Sequence, residues 1–359
     1  EMTADNAALA RVREDAFAII PHRHLREVEA LELAERCIDL VQTDAAAPTG
    51  YPATMTAGIA FSRDLAAPSA DALLRNAENA SLRARAHGLG RCKVFNADRH
   101  RDLLARMRTE QSLREAFADG HLLLHYMPES DLRDGCWRSA EALLRWRNEE
   151  GRIIPAGEFI EAAESSGLIV RLGRWVLLEA CNAAMRWPER DGVAPMLRVN
   201  VSARQFEETG LAADVDTALA ESGLPPERLC LEITETLLLR DPDAAAKTLA
   251  RIRALGVRVA LDDFGTGYCS LGYLKHLPID TIKIDRGFTA GLPPDRADLA
   301  IVKALAGLAR DLGIDVVGEG VETEAQAQCL RECGVIAVQG WLYSPAIDND
   351  ALIAGFNAH

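Results

Sequence analysis

At 359 residues and a net charge of −14, the chain is long enough for two domains and a large core, and too acidic to present a general surface for a DNA or RNA polymer. Its eight cysteines include no Cys-x-x-Cys pair, which predicts reduced thiols and a cytoplasmic setting rather than a disulfide scaffold. No run approaches the ~20 apolar residues of a membrane span and no signal peptide is visible; a sensory or membrane segment upstream of this chain is left open.

Residues 1–97 read as a first, smaller α/β unit. Leu9 to Ile20 predicts a hairpin, Leu25 to Val41 a helix, Ala53 to Ser62 a strand, Ala70 to His87 a helix, and Cys92 to Phe95 a short strand. With Ala57-Gly58-Ile59-Ala60 and Leu73 to Ala80, the unit resembles the C-terminal portion of a GGDEF (diguanylate cyclase) domain. The signature pentapeptide is replaced by Arg13-Glu14-Asp15-Ala16-Phe17. The resemblance therefore implies a degenerate unit that makes no cyclic dinucleotide: Arg13 stands where a glycine would admit nucleotide, and Ala16 supplies no carboxylate for metal. The family's inhibitory RxxD positions fall on Ala4 and Ala7, and its first, nucleotide-binding part has no counterpart in the chain.

Residues 98–119, with Arg, Leu, Met and Ala at helical spacing, predict a connecting helix. From 120 to 359 a second unit begins, in which apolar runs repeatedly end on polar residues. Leu197 to Asn200 stops at an amide, Leu229 to Glu235 at two acids, and Thr281 to Asp285 at Lys283 and an acid. Asp315 to Glu322 adds Glu319 and Glu322, and Val335 to Gly340 ends at Gln339. Between them Pro242 to Leu255, Ala297 to Leu312 and Glu322 to Cys333 read as helices. Alternation of this kind predicts a parallel α/β sheet closed as a (β/α)8 barrel, with strand-end polar groups gathered on one face.

The focus of the pattern is Val257 to Tyr268, where a β-branched run ends in Asp262 and Asp263 and a loop with Gly265 and Gly267. Neighbouring side chains on a regular strand point to opposite faces, so both acids reach one site only if the backbone turns there. A shared divalent cation explains the tolerated repulsion; a cap on a turn is the plainer alternative for a lone Asp-Asp. Cys329 and Cys333, four apart on a helix, read as packing rather than as a metal pair.

The ordered set Glu141-Ala142-Leu143-Leu144-Arg145-Trp146, Asn200-Val201-Ser202, Leu231 to Thr236, Asp262 to Tyr268, Ile282 to Arg286, Gly318 to Thr323 and Gln339-Gly340-Trp341 resembles the EAL-domain family of cyclic di-GMP phosphodiesterases across residues 120 to 356. The resemblance implies an EAL-type barrel that binds two divalent cations, Mg2+ or Mn2+, pairs as a homodimer, and hydrolyses cyclic di-GMP to linear pGpG. By position it implies Glu141, Asn200, Glu232 and Asp262 around one ion, Asp263 at the second, and Glu319 on the metal and its water network. Lys283 would orient water or offset phosphoryl charge, with a buried structural Lys–Glu pair as the alternative. Arg145, Leu144, Gln339 and Asp285 would meet substrate, though a surface salt bridge is the alternative for Arg145. Glu235 and Glu322 would hold the Asp263 to Tyr268 loop.

Met127 stands where glutamine is usual, Glu129 and Ser130 replace apolar residues, and Ser139, Gly318 and Cys269 replace Gly, Ala and Ser. Met127 and Glu129 are expected to weaken substrate binding. A catalytically silent cyclic di-GMP receptor is the alternative function.

Overall fold

A computed structural model describes residues 7–43, 54–64, 69–86, 88, 90–95, 97–208, 210–265 and 277–358. The chain divides into two compact units, Glu1–Met107 and Arg108–His359. The division falls inside the helix Ala97–Ala118.

In the first unit β1 (Ala7–Arg13) and β2 (Ala16–Pro21) form the expected antiparallel hairpin, with a register irregularity between Arg11 and Arg13. Residues Arg13 to Phe17 thus end β1, make the two-residue turn Glu14-Asp15 and begin β2, and Arg13 pairs with Glu78 at 2.8 Å. Helix Glu27–Thr43, β3 (Ala57–Ile59), helix Ala70–Ala86 and β4 (Cys92–Val94) follow. The strand expected over Ala53 to Ser62 is shortened to β3. A strand persists only where a neighbour supplies hydrogen bonds, and β4 offers three residues, Cys92, Lys93 and Val94, to Ala57, Gly58 and Ile59. Ala7 opens β1, while Ala4 lies outside the described residues.

The second unit is an eight-strand barrel. Its members are β5 (Leu122–Asp131), β6 (Trp137–Arg147), β8 (Met196–Asn200), β9 (Leu229–Thr234), β10 (Arg258–Phe264), β11 (Thr281–Ile284), β12 (Asp315–Gly318) and β13 (Ala337–Val338). Strand β7 (Ile153–Pro155) only flanks β6. The barrel closes through β5, which pairs with both β6 and β13, and it is here that it departs from a regular (β/α)8 plan: β5 is antiparallel to both neighbours, while β6 and β8 to β13 are parallel. The reason is local. Only residues 132–136 separate β5 from β6, enough for a hairpin and far too few for a crossover helix.

Strand alternation separates two environments. On β9, Leu229, Leu231 and Ile233 point into the shell between barrel and helices and are at most 1% exposed, while Cys230 and Glu232 point inward. Leu197 and Val199 of β8, Val259 and Leu261 of β10 and Ile282 and Ile284 of β11 fill the same shell. Each such side chain contributes about 2 kcal/mol on burial. The covering helices begin where the sequence offers caps. Ser202 with Gln205 and Thr323 with Gln326 form capping boxes, and Asp295 accepts from the amides of Ala297 and Asp298. Trp187 and Trp137 both meet Phe356 of the helix Asn349–Ala358, which ties the C-terminal segment to the first barrel strands.

Candidate active site

The inward positions bring together residues of five strands, β6, β8, β9, β10 and β11, with Glu319 and Gln339 just past the ends of β12 and β13. Lys283, fully buried on β11, places its ammonium 2.6 Å from Glu319, 2.9 Å from Glu232 on β9, 3.3 Å from Glu141 on β6 and 3.7 Å from Asp262 on β10. Glu141 also accepts from Asn200 Nδ2 at 2.5 Å and from Gln339 Nε2 at 2.7 Å, so both its oxygens have partners. Gln339 holds its place because Gly340 lets the chain pass against residue 321: a Cβ there would come within 2.1 Å of the Val321 carbonyl oxygen.

The two adjacent aspartates converge through a β-bulge. Leu261 pairs with Ile282, but the next partners are Phe264 and Ile284, so β10 carries one residue more than β11 over this interval. The extra residue is absorbed at Asp263, whose φ of 54° lies in the left-handed region. The bulge turns both acids to the mouth: oxygens of Asp262, Asp263 and Glu319 all lie within 4.8 Å of one another. Gly265 follows with φ 101°, and its amide donates to Glu235 Oε2 at 3.1 Å, anchoring the segment just past the bulge. Residues 266–276, with Thr266, Gly267, Tyr268 and Cys269, lie outside the described residues.

Electrostatics set these groups apart. Burial lifts Glu319 to about 7, even though Lys283 pulls the other way. Burial likewise pushes Glu232 well above the usual carboxylate range, and burial followed by repulsion from Asp262 raises Asp263. For Glu141 burial is opposed by Lys283, Gln339 and Asn200, which together hold its carboxyl below the ordinary value. Burial alone would discharge Lys283, but the surrounding carboxylates outweigh it and keep the amine charged.

Five carboxylates thus face one ammonium, an excess that invites further cations. Three buried oxygens here, Glu232 Oε1, Asp262 Oδ1 and Gln339 Oε1, lack hydrogen-bond donors. An all-oxygen donor set with unsatisfied members fits hard divalent cations of the Mg2+ and Mn2+ kind. Glu141 and Asn200, assigned by resemblance to the same shell, are bonded to each other beside Lys283.

A cavity of about 320 Å³ opens over this cluster, lined in part by Met127, Leu143, Asp285, Arg286, Glu322 and Trp341. Leu144 requires a correction. It is buried in the apolar shell, while Leu143 faces the cavity, because on β6 the residues that share a face with Glu141 are 143 and 145. Arg145, half-buried on that face, donates to the Leu144 carbonyl at 2.9 Å. Asp285 lines the cavity and caps the following turn through the Gly287 amide at 2.9 Å. Glu322 is exposed at the rim of the cavity.

Glu129 is 1% exposed and is not among the residues lining the cavity. It accepts from the Ser139 hydroxyl and from Arg198 Nε at 2.8 Å. Arg198 is a residue that sequence reasoning did not single out, and the exposed Trp341, part of the Gln339-Gly340-Trp341 motif, was given no role of its own. Arg198 announces itself only as a charge two residues before Asn200 in an apolar run.

Residues 110–346 match the model of the EAL domain. The chain is 41% identical over 337 residues to an uncharacterised protein of Sinorhizobium fredii, y4lL, covering 93% of this chain and 40% of that protein. It is 35% identical over 359 residues to the cyclic di-GMP phosphodiesterase NbdA of Pseudomonas aeruginosa, covering 97% of this chain and 44% of that protein. The chain thus spans less than half the length of these two relatives. Among solved structures, the PaMucR phosphodiesterase in complex with c-di-GMP superposes with a TM-score of 0.66 at 42% identity, over 68% of this chain and 99% of that one.

Proposed function

The chain belongs to the EAL domain family, and from that premise we propose that it is a cyclic di-GMP phosphodiesterase that opens its substrate to linear pGpG in a reaction dependent on two divalent cations. The observation that carries this reading is the buried ammonium of Lys283 held among Glu319, Glu232, Glu141 and Asp262 beside oxygens left without donors. Cations held there by Glu141, Asn200, Glu232 and Asp262, with Asp263 and Glu319, would neutralise the phosphodiester and acidify a water.

The protein's own groups divide the remaining work. Water attacks phosphorus in line with the 3′ oxygen; its proton passes to Glu319, which lies at the cavity beside Lys283 and the two aspartates. The P–O3′ bond breaks, the 3′ oxygen takes up a proton from solvent to become the 3′ hydroxyl, and Glu319 releases the proton it received to solvent. Lys283 offsets charge on the phosphoryl oxygens, and Glu141 with Gln339 and Asn200 fixes the lysine's position. Glu235 steadies the bulge through the Gly265 amide, Glu322 serves the outer part of the same loop, and Arg145, Leu143, Asp285 and Gln339 face substrate. The first unit is read as a degenerate GGDEF domain.

The test is incubation of purified protein with cyclic di-GMP and Mg2+ or Mn2+, products resolved by chromatography. Linear pGpG is expected only with metal. Bound but unchanged substrate would favour the receptor reading instead.

A further inference from the structure

One layer below the lysine cluster, a second buried charge pair crosses the barrel. Arg198 and Glu129 have side chains 6% and 0% exposed and come from strands 69 residues apart in sequence. Arg198 is shared unequally. Its Nε lies 2.8 Å from Glu129 Oε2, while its other arm, NH1, stands 3.8 Å from Glu232 Oε1 and 3.5 Å from the Cys230 sulfur. Ser139, across the strand pair on β6, donates its hydroxyl to the same Glu129 oxygen and fixes that carboxylate. The outcome is that Glu232 takes Lys283 on Oε2 at 2.9 Å and keeps Oε1 without a hydrogen bond.

We propose that Glu129 is a positioning residue that holds Arg198 away from Glu232 and so keeps Glu232 Oε1 free for a divalent cation. The inference rests on the metal-dependent reading above. A guanidinium stays charged when buried and pairs with whatever carboxylate it reaches. With Glu129 neutralised, NH1 needs a movement of about 1 Å to reach hydrogen-bonding distance of Glu232 Oε1. Both Glu232 oxygens would then be occupied by cationic side chains, and an unbalanced positive charge would sit beside the cation site. If Arg198 is removed as well, Glu129 has nothing left to restrain.

The experiment measures Mn2+ binding to the purified full chain by calorimetry, without substrate. Glu129→Leu is expected to weaken binding about tenfold or more, in line with losses on removing supporting residues of metal sites. Glu129→Leu with Arg198→Met is expected to return within about threefold of the parent, since replacing a whole buried ion pair by apolar groups is tolerated. Should Glu129→Leu not fold, Glu129→Gln with and without Arg198→Met carries the same comparison. Parental affinity in the single variant, or a double variant as weak as the single, overturns the role given to Glu129. Absence of Mn2+ binding by the parental protein overturns the metal-dependent reading itself.

Discussion

Replacing Glu319 by glutamine should stabilise the metal-free protein at alkaline pH and leave its stability almost unchanged in acid. In the folded protein burial raises this carboxyl from 4.5 to about 7. At roughly 1.4 kcal/mol per tenfold in proton affinity, that shift corresponds to about 3 kcal/mol. The sign follows from the direction. A carboxyl whose folded value lies above its unfolded one contributes stability that is fully present below 4.5 and lost as pH rises through about 7. Glutamine cannot ionise, keeps an oxygen for the Lys283 ammonium 2.6 Å away, and so escapes the loss. The difference in unfolding free energy between variant and parent should grow by about 2–3 kcal/mol between pH 5 and pH 8, in favour of the variant. Urea denaturation in the presence of a chelator, followed by tryptophan fluorescence, measures it, and all five tryptophans lie in the barrel unit. A difference that stays constant across this range, or that favours the parent at pH 8, would refute the claim that ionised Glu319 is held at a cost that cations relieve.

Glu141→Ala and Asp262→Asn should each lower turnover of cyclic di-GMP by several orders of magnitude. The first leaves Lys283 without a partner at 3.3 Å and the second removes a charged oxygen from the bulge, so near-parental rates in either would displace that residue from the site. Glu235→Ala should reduce turnover at saturating metal through loss of the bond to the Gly265 amide; full activity would make Glu235 an ordinary buried acid. Labelled GTP with metal should yield no cyclic product and no pGpG, because Arg13 stands at the end of β1 tied to Glu78, and any such product would overturn the reading of the first unit.

Much of the architecture was legible in one dimension. Strands buried on both faces read as apolar runs, and runs such as Leu229 to Thr234 and Thr281 to Ile284 follow the sequence pattern. Barrel strands carry polar residues at their carboxyl ends, so Lys283, Glu232, Gln339 and the two aspartates could be singled out before any coordinate was known. The hairpin of the first unit and the helices Pro242–Ala254 and Arg296–Leu312 follow likewise from local periodicity and caps.

What tertiary structure decided are the properties that depend on registration between distant segments. Whether Leu143 or Leu144 faces the cavity depends on the phase of β6 against its neighbours, and an error of one residue reverses the face. The convergence of Asp262 and Asp263 comes from a bulge, which exists only relative to β11 and is invisible in the dipeptide. Glu129 and Ser139 read in sequence as unrelated departures, one of them a threat to substrate binding. In the barrel they share one oxygen, and Arg198 joins them from a third strand. No local propensity encodes that contact: pairing Glu129 with Arg198 requires β5 and β8 to be registered on either side of β6, and only then does the buried guanidinium find its counter-charge.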